Sequence, residues 1–82
     1  MNPHWMRVFN ITYNNEEKWR LELQCIGAVI TNRGEKDSWY ANVYTWRKHE
    51  RPFSSKEDAM MWCESQMRTF LQMSIDKLND VA

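Results

Sequence analysis

Residues 53–82 contain neither glycine nor proline, so nothing in this last part of the chain interrupts a helix. Near its start, residues 54–57 read S-S-K-E and fit a capping box, in which a serine hydroxyl and a glutamate each satisfy a free backbone N–H. Asp58 adds a favourable negative charge in the first turn. The pattern predicts a helix from about Ser55 to Asn79, roughly 37 Å long, which can span a sheet and project beyond it.

One stripe of this helix is predominantly apolar. At about 100° per residue, it collects Ala59, Met60, Cys63, Met67, Phe70, Leu71, Ser74 and Leu78. An amphipathic helix buries its apolar stripe against another element of the fold, so we expect this one to cover one face of a β-sheet.

The first half of the chain supplies extended segments. Residues 4–13 are rich in β-branched and aromatic side chains, and residues 18–31 and 38–48 follow as further strand candidates. Apolar and polar side chains alternate through the first half of the second segment, which is typical of a half-buried antiparallel strand. The alternation breaks at Cys25, close to Gly27, and this predicts a β-bulge.

A polar cluster at residues 32–37, N-R-G-E-K-D, predicts the turn before the third segment. The chain is therefore predicted to be an α+β protein, a three-stranded antiparallel meander packed on one long C-terminal helix (β-β-β-α) in two layers. A chain of 82 residues has room for one core, so we expect residues 1–82 to form a single domain.

The five tryptophans exceed what the predicted core accounts for. We expect Trp5, Trp19 and Trp39 to lie in the core under the helix stripe. Trp46 and Trp62 have no place there, and exposed aromatic side chains favour contact with a protein partner.

One helix covers only one face of a sheet, and the alternation of the third segment predicts Tyr40, Tyr44 and Trp46 on the other face. Basic residues are expected nearby, at Lys18, Arg20 and Lys48. Three interpretations stay open. The aromatic side chains form a stabilising cross-strand ladder, a protein-binding patch, or a surface that stacks bases and contacts phosphates.

A second candidate surface is a flank of the helix outside the apolar stripe. Trp62 and Met73 share this flank, with Gln66 and Thr69 between them. Either the flank packs on the N-terminal segment or the loop around Pro52, or it is a protein-contact surface.

Charge excludes a polycation that binds nucleic acid through bulk attraction, because 11 basic and 11 acidic side chains give a net charge of zero. The densest basic group is Arg47, Lys48 and Arg51, which we expect in the loop between the third strand and the helix. It is either a solvated loop or a contact for a phosphate or an acidic partner.

The sequence contains no pattern of catalytic or metal-binding residues. Two histidines and two cysteines, none in a short-spaced pair, do not suggest a metal site, and there is no glycine-rich phosphate loop. We expect no enzyme activity and no cofactor. Cys25 and Cys63 are predicted to be buried; two reduced thiols are the first interpretation, and a bridge between them is the alternative.

No apolar run approaches the roughly 18–20 residues of a membrane span, and the first residues lack the apolar core of a signal peptide. We therefore expect a cytoplasmic protein without membrane contact.

Residues 39–62 carry a local resemblance to AP2-like and integrase arm-type DNA-binding modules. In those modules a third strand precedes a pattern that is matched here by Phe53, Ser54, Glu57, Asp58 and Ala59. The resemblance implies an autonomous DNA-binding module whose sheet enters the major groove. Glu22, among the outward residues of the second segment, departs from the basic face of that family.

Over its whole length the chain is similar to small phage-encoded corepressors, in size, in its M-N-P start and in its Trp- and Met-rich β-β-β-α pattern. The resemblance implies a regulator of lysogeny in the bacterial host cell. Such a protein binds a phage immunity repressor and strengthens its hold on operator DNA, with weak or indirect DNA contact of its own. A phage inhibitor of a host defence protein is a further alternative.

Overall fold

A computed structural model describes residues 4–9, 16–35, 37–44 and 46–80, apart from the side chain of Arg51. The elements are β1 (Met6–Val8), β2 (Glu17–Glu22), β3 (Gly27–Asn32), β4 (Trp39–Val43), β5 (Lys48–Phe53) and α1 (Lys56–Asp80). The strands form one antiparallel sheet in chain order, and α1 packs on one of its faces. The predicted two-layer α+β fold is confirmed, but the described residues form a meander of five strands rather than three.

The second predicted segment is a hairpin rather than one bulged strand. β2 and β3 pair along their whole lengths, and the Leu23 N–H donates to the Ile26 carbonyl at 2.9 Å across the connection. Gly27 is the first residue of β3 and lies opposite Glu22. The predicted bulge is therefore wrong. The predicted burial of Cys25 is wrong for the same reason, since the turn exposes this side chain.

The third predicted segment also contains a reversal of the chain. β4 ends at Val43, and the connection to β5 includes Arg47 in the left-handed region with φ 60°. The residues expected in a loop before the helix therefore form an edge strand. Pro52 is tolerated on such a strand, where the pairing with β4 shifts register between Trp39 and Ala41.

The predicted turn is confirmed over residues 32–35 and 37, and Lys36 of the predicted turn lies outside the described residues. The Asn32 side chain accepts a hydrogen bond from the Gly34 N–H at 2.7 Å and donates to the Glu35 carbonyl at 2.7 Å. Gly34 takes φ 95°, which glycine adopts without strain, and Asp37 takes φ 56°. Residues 10–13 of the first predicted segment lie outside the described residues.

The cap of α1 lies one residue later than the capping box predicts. Ser55 Oγ accepts the Asp58 N–H at 3.1 Å, and the Ala59 N–H donates to the Ser55 carbonyl at 3.2 Å. Ser55 is therefore the N-cap, and the helix runs on without interruption to Asp80.

The core lies between α1 and the middle of the sheet. Its buried members are Leu21, Ile26, Ala28, Ile30, Ala41, Val43, Ala59, Cys63 and Met67. The predicted helix stripe holds as far as Leu71, but Ser74 and Leu78 are exposed. Every described side chain from Gln72 onwards is exposed, so the helix projects beyond the sheet as its length allows.

All five tryptophans pack against this core. Trp5, Trp19 and Trp39 do so as predicted, and the Trp5 indole N–H also donates to Glu64 Oε2 on the helix at 2.8 Å. Trp46 and Trp62 do so as well, and the expectation that they have no place at the core is wrong.

Candidate functional site

The sheet face away from α1, called the open sheet face below, is the first candidate surface. Strand pairing groups its residues, because directly opposite side chains point to the same face. The face comprises Met6, Val8, Lys18, Arg20, Glu22, Val29, Thr31, Tyr40, Asn42, Tyr44 and His49. Tyr40 and Tyr44 lie on it as the sequence predicts.

Trp46 does not lie on the open sheet face. The β4–β5 turn carries it to the helix side, where its ring lies 5.8 Å from that of Phe70, tilted by 57°. The alternation that placed Trp46 with Tyr40 and Tyr44 ends at Val43, since the strand itself ends there. The predicted grouping of the three aromatic residues is therefore wrong.

Tyr44 has a clear structural role. Its ring lies over Gly27, where an added Cβ would fall 1.9 Å from the tyrosine oxygen and 2.4 Å from Cζ. The hydroxyl donates to Glu22 Oε1 at 3.0 Å, so the side chain reaches across β3 to β2. Desolvation and the neighbouring Glu22 carboxylate raise the pKa of Tyr44 above its ordinary value. Glycine at position 27 is what leaves room for this ring.

A groove of about 550 Å³ lies at the other end of the open sheet face. It is lined by Lys18, Val29, Thr31, Arg33, Glu35, Ser38, Trp39, Tyr40 and His49. The rings of Tyr40 and His49 are stacked, with centroids 6.2 Å apart and an angle of 21° between their planes. The volume is within the range of ligand pockets, and the stacked rings give the groove an aromatic wall.

The two basic side chains that line the groove, Lys18 and Arg33, are paired with a carboxylate of the protein. Glu16 is buried, and its carboxylate forms ion pairs with Lys18 Nζ at 3.2 Å and with Arg33 Nε at 3.8 Å. On the same face, Arg20 Nε lies 3.6 Å from Glu22 Oε1. A DNA phosphate would have to displace these carboxylates in order to bind the basic side chains. This disfavours DNA binding by the sheet.

The basic group of the sequence lies at the start of β5 rather than in a loop before the helix, since Arg47 is in the β4–β5 turn and Lys48 and Arg51 are in β5. Arg47 and Lys48 are exposed, and Lys48 Nζ lies 5.0 Å from the centre of the Trp46 ring. This position is beside α1, on the side of the sheet away from the groove. The side chain of Arg51 lies outside the described residues.

The predicted helix flank is divided between core and solvent. Trp62 is half-buried against Phe53, with ring centroids 5.8 Å apart, which is the packing that the sequence left open as an alternative. Gln66 is also half-buried. Thr69 is exposed and donates to the Ser65 carbonyl at 3.0 Å, and Met73 is 52% exposed. Within this flank, Met73 offers the largest free apolar surface.

Reactive chemistry is sparse in the described part of the chain. No group of three or more His, Cys, Asp or Glu residues there could hold a metal ion. Cys25 and Cys63 are both free. Burial raises the pKa of the Cys63 thiol to about 12, so this cysteine stays protonated and unreactive at neutral pH. Among the described helices, none is long and apolar enough to span a membrane.

Sequence reasoning missed His49, Thr31 and Val29 as members of the groove. Val29 and Thr31 were concealed by the reading of β2 and β3 as one strand. His49 was concealed by the reading of β5 as a loop before the helix. The alternation within 27–32 could have identified the first two, but no local signal assigns His49.

A comparison of the chain with protein-family models, with curated proteins and with solved structures finds no match.

Proposed function

We propose that this chain is a non-enzymatic phage regulatory protein, a corepressor that docks on a transcriptional repressor and strengthens the repressor's binding to operator DNA. The observation that carries the proposal is the uncovered groove on the open sheet face, with the stacked rings of Tyr40 and His49 on its wall. Aromatic side chains dominate the binding energy of protein interfaces. The resemblance to small phage corepressors supplies the class of partner.

Pairing of the charges favours a protein over DNA as the direct partner. Lys18 and Arg20 on the open sheet face already lie beside Glu16 and Glu22. A protein surface can match both signs, whereas DNA offers only negative phosphates. Arg47 and Lys48 are available for at most a small, salt-dependent contact with a phosphate of the operator.

The mechanism we propose is linkage between two binding events. A corepressor that contacts the DNA-bound conformation of the repressor better than the free conformation shifts the population toward the bound state. A preference of about 1.4–2.8 kcal/mol improves the apparent operator affinity about 10- to 100-fold. This requires no catalysis, and it takes place in the bacterial cytoplasm, where repressor and operator meet.

The test is a gel mobility-shift titration of the phage immunity repressor on labelled operator DNA, with and without this chain. We expect the chain to retard the repressor–operator complex further and to lower the repressor concentration at half-saturation about 10- to 100-fold. If the chain produces neither of these effects at micromolar concentration, the proposal is rejected. A shift of operator DNA by the chain alone, at about 50 mM salt and weakening as salt rises, would instead indicate a DNA-binding module.

Tyr40→Ala tests whether the groove carries the contact. We expect this variant to reduce the enhancement of operator binding at least tenfold, because it lacks one ring of the stack with His49. Met61→Ala is the matched control, since this side chain is 65% exposed on the helix, across the sheet from the groove. Far-UV circular dichroism of both variants separates lost binding from lost folding. An enhancement unchanged in Tyr40→Ala would move the contact to another surface.

A phage inhibitor of a host defence protein would share this size and surface. Affinity capture from host lysates, with and without the prophage, distinguishes the two. Recovery of the repressor only from lysogenic cells supports the corepressor. Recovery of a host nuclease from both lysates would instead indicate an inhibitor of a host defence protein.

A further inference from the structure

The groove on the open sheet face runs along β3. Val29 and Thr31 form its floor, because they point to this face while Ile30 between them is buried in the core. Strand pairing places Lys18 on one side of Thr31 and Tyr40 on the other. The long side chains of β2 and β4 therefore stand two strand spacings apart, roughly 9.5 Å, which admits one extended peptide chain.

One end of the groove is closed by Tyr44. Its ring lies over Gly27, two residues before Val29 on β3, and its hydroxyl donates to Glu22 Oε1 at 3.0 Å. This hydrogen bond joins β4 to β2 and forms a bar across the sheet. The other end opens at the turn that follows β3, so an occupant enters there and extends along β3 as far as Val29.

The charges around the groove balance. Lys18 and Arg33 line it and are paired with Glu16, and Glu35 is the acidic side chain among its described lining residues. These two positive and two negative groups leave no net charge for a ligand. An acidic segment would have to displace Glu16, and a basic segment would meet Lys18 and Arg33. The groove therefore favours an uncharged occupant.

The groove also presents hydrogen-bond donors. The side chains of Thr31, Ser38 and His49 line it, and none of the three has a hydrogen-bond partner among the described residues. A β-strand laid on the face of the sheet cannot pair with the backbone below it, so its N–H groups would need other acceptors. Proline has no backbone N–H, and the polyproline II helix leaves its carbonyl groups free to accept external donors.

We propose that the groove binds a proline-rich segment in the polyproline II conformation, with proline rings against the wall that Tyr40 and His49 form. Such segments dock in grooves lined by aromatic side chains. From Val29 to its end at Asn32, β3 extends roughly 10 Å, which holds about three residues, or one turn, of polyproline II. The inference rests on the proposed function for the owner of the segment, which is the repressor.

NMR titration of the isotope-labelled chain with an acetylated and amidated hexaproline peptide tests the proposal. We expect saturable shifts of the backbone amide signals of Val29, Thr31, Tyr40 and His49. The Kd should lie between about 20 μM and 1 mM, as for one turn of peptide at ordinary ligand efficiency. A hexapeptide of alternating Gly and Ser is the matched control and should not bind, because it is flexible and every residue carries an N–H.

Substitutions in the groove test the two kinds of contact. Tyr40→Ala should raise the Kd for hexaproline at least tenfold, because it removes one ring of the aromatic wall. Thr31→Val keeps the shape of the floor but removes one donor, and should raise the Kd about 2- to 13-fold. Met61→Ala, on the helix across the sheet, is the matched control and should leave the Kd unchanged. Circular dichroism confirms that each variant is folded.

Four results would overturn the proposal. They are no saturable binding up to about 5 mM hexaproline, equal affinity for the Gly-Ser peptide, an unchanged Kd in Tyr40→Ala, or tighter binding of a hexapeptide of alternating Glu and Gly, which would assign an acidic segment instead. The titration contains neither repressor nor DNA. Binding of hexaproline without a gel shift would therefore reject the corepressor function alone, and a gel shift without binding of hexaproline would reject this inference alone.

Discussion

The packed turns of α1, residues 56–71, and the overhang, residues 72–80, belong to one helix but differ in what covers them. Ala59, Cys63 and Met67 of the packed turns are buried, whereas the overhang has no buried side chain. Both parts have the same helical periodicity in the sequence. Periodicity therefore predicts which residues share a face, but the extent of the sheet decides how far along the helix that face is covered.

The difference follows from the length of the strands. A strand of six residues, such as β3, extends about 20 Å, while the 25 residues of α1 extend about 37 Å. A helix longer than its sheet must leave part of its apolar stripe to water or to a partner. Stability and interaction are thus expected to separate along α1, and substitutions in its two parts can test this.

The largest contrast is expected between Met67→Ala and Leu78→Ala. Met67 is 2% exposed in the core, so truncation leaves a cavity and should lower the free energy of unfolding by about 2–5 kcal/mol. Leu78 is 73% exposed, and its truncation should change that free energy by less than about 0.5 kcal/mol. Urea denaturation at low micromolar concentration measures both. Equal losses would mean that the overhang is packed in the monomer.

A smaller effect is expected from the pH dependence of stability at Cys63. Burial raises the pKa of this thiol from 9.0 to about 12. Between these values the unfolded chain binds fewer protons than the folded one, so stability should be unaffected below pH 9 and fall above it. The slope contributed by one thiol is at most about 1.4 kcal/mol per pH unit.

Cys63→Ala should remove this part of the slope between pH 9 and 10.5. Cys25→Ala is the matched control and should retain it, because Cys25 is exposed at the β2–β3 turn. Urea midpoints at each pH provide the comparison. Identical slopes in the two variants would show that the packed turns do not bury the Cys63 thiol in solution.

The N-terminal end of α1 should also respond to loss of its cap. Ser55→Ala removes the acceptor of the Asp58 N–H and should cost about 1 kcal/mol of unfolding free energy, because this end is anchored to the core. Ser54→Ala is the matched control, since this hydroxyl makes only a 3.4 Å contact with Asp58 Oδ2. A larger loss for Ser54→Ala would return the N-cap to the position that the capping box predicts.

The fold class could be predicted because its signals are local and strong. Residues 53–82 lack helix breakers, and the turn at 32–37 has Asn32 and Gly34 at positions that need their chemistry. The two missed reversals have no such signal. The β2–β3 turn uses Gln24 and Cys25. The β4–β5 turn holds Arg47 at φ 60°, where the sheet imposes a conformation that arginine does not favour.

The candidate surfaces depend on these reversals, so the sequence predicts them only in part. Tyr40 lies in β4 and Tyr44 directly after it, and alternation along this strand assigns both to the correct face. The stacking of His49 on Tyr40 requires β5, and the packing of Trp46 on Phe70 requires the turn before it. Contacts of this kind arise from pairing between strands, which periodicity along one segment does not encode.

The smallest effect should come from Gln72→Ala, which removes the hydrogen bond from Gln72 Nε2 to Asp76 Oδ1 at 3.0 Å within the overhang. Such a pair stabilises a helix by about 0.2–0.5 kcal/mol, so amides of the overhang should exchange hydrogen about 1.4- to 2.3-fold faster. Amides of residues 59–71 should be unaffected, because their opening requires loss of the core. Asp76→Asn keeps an acceptor and should change exchange less. Faster exchange in residues 59–71 would mean that the two parts of α1 open together.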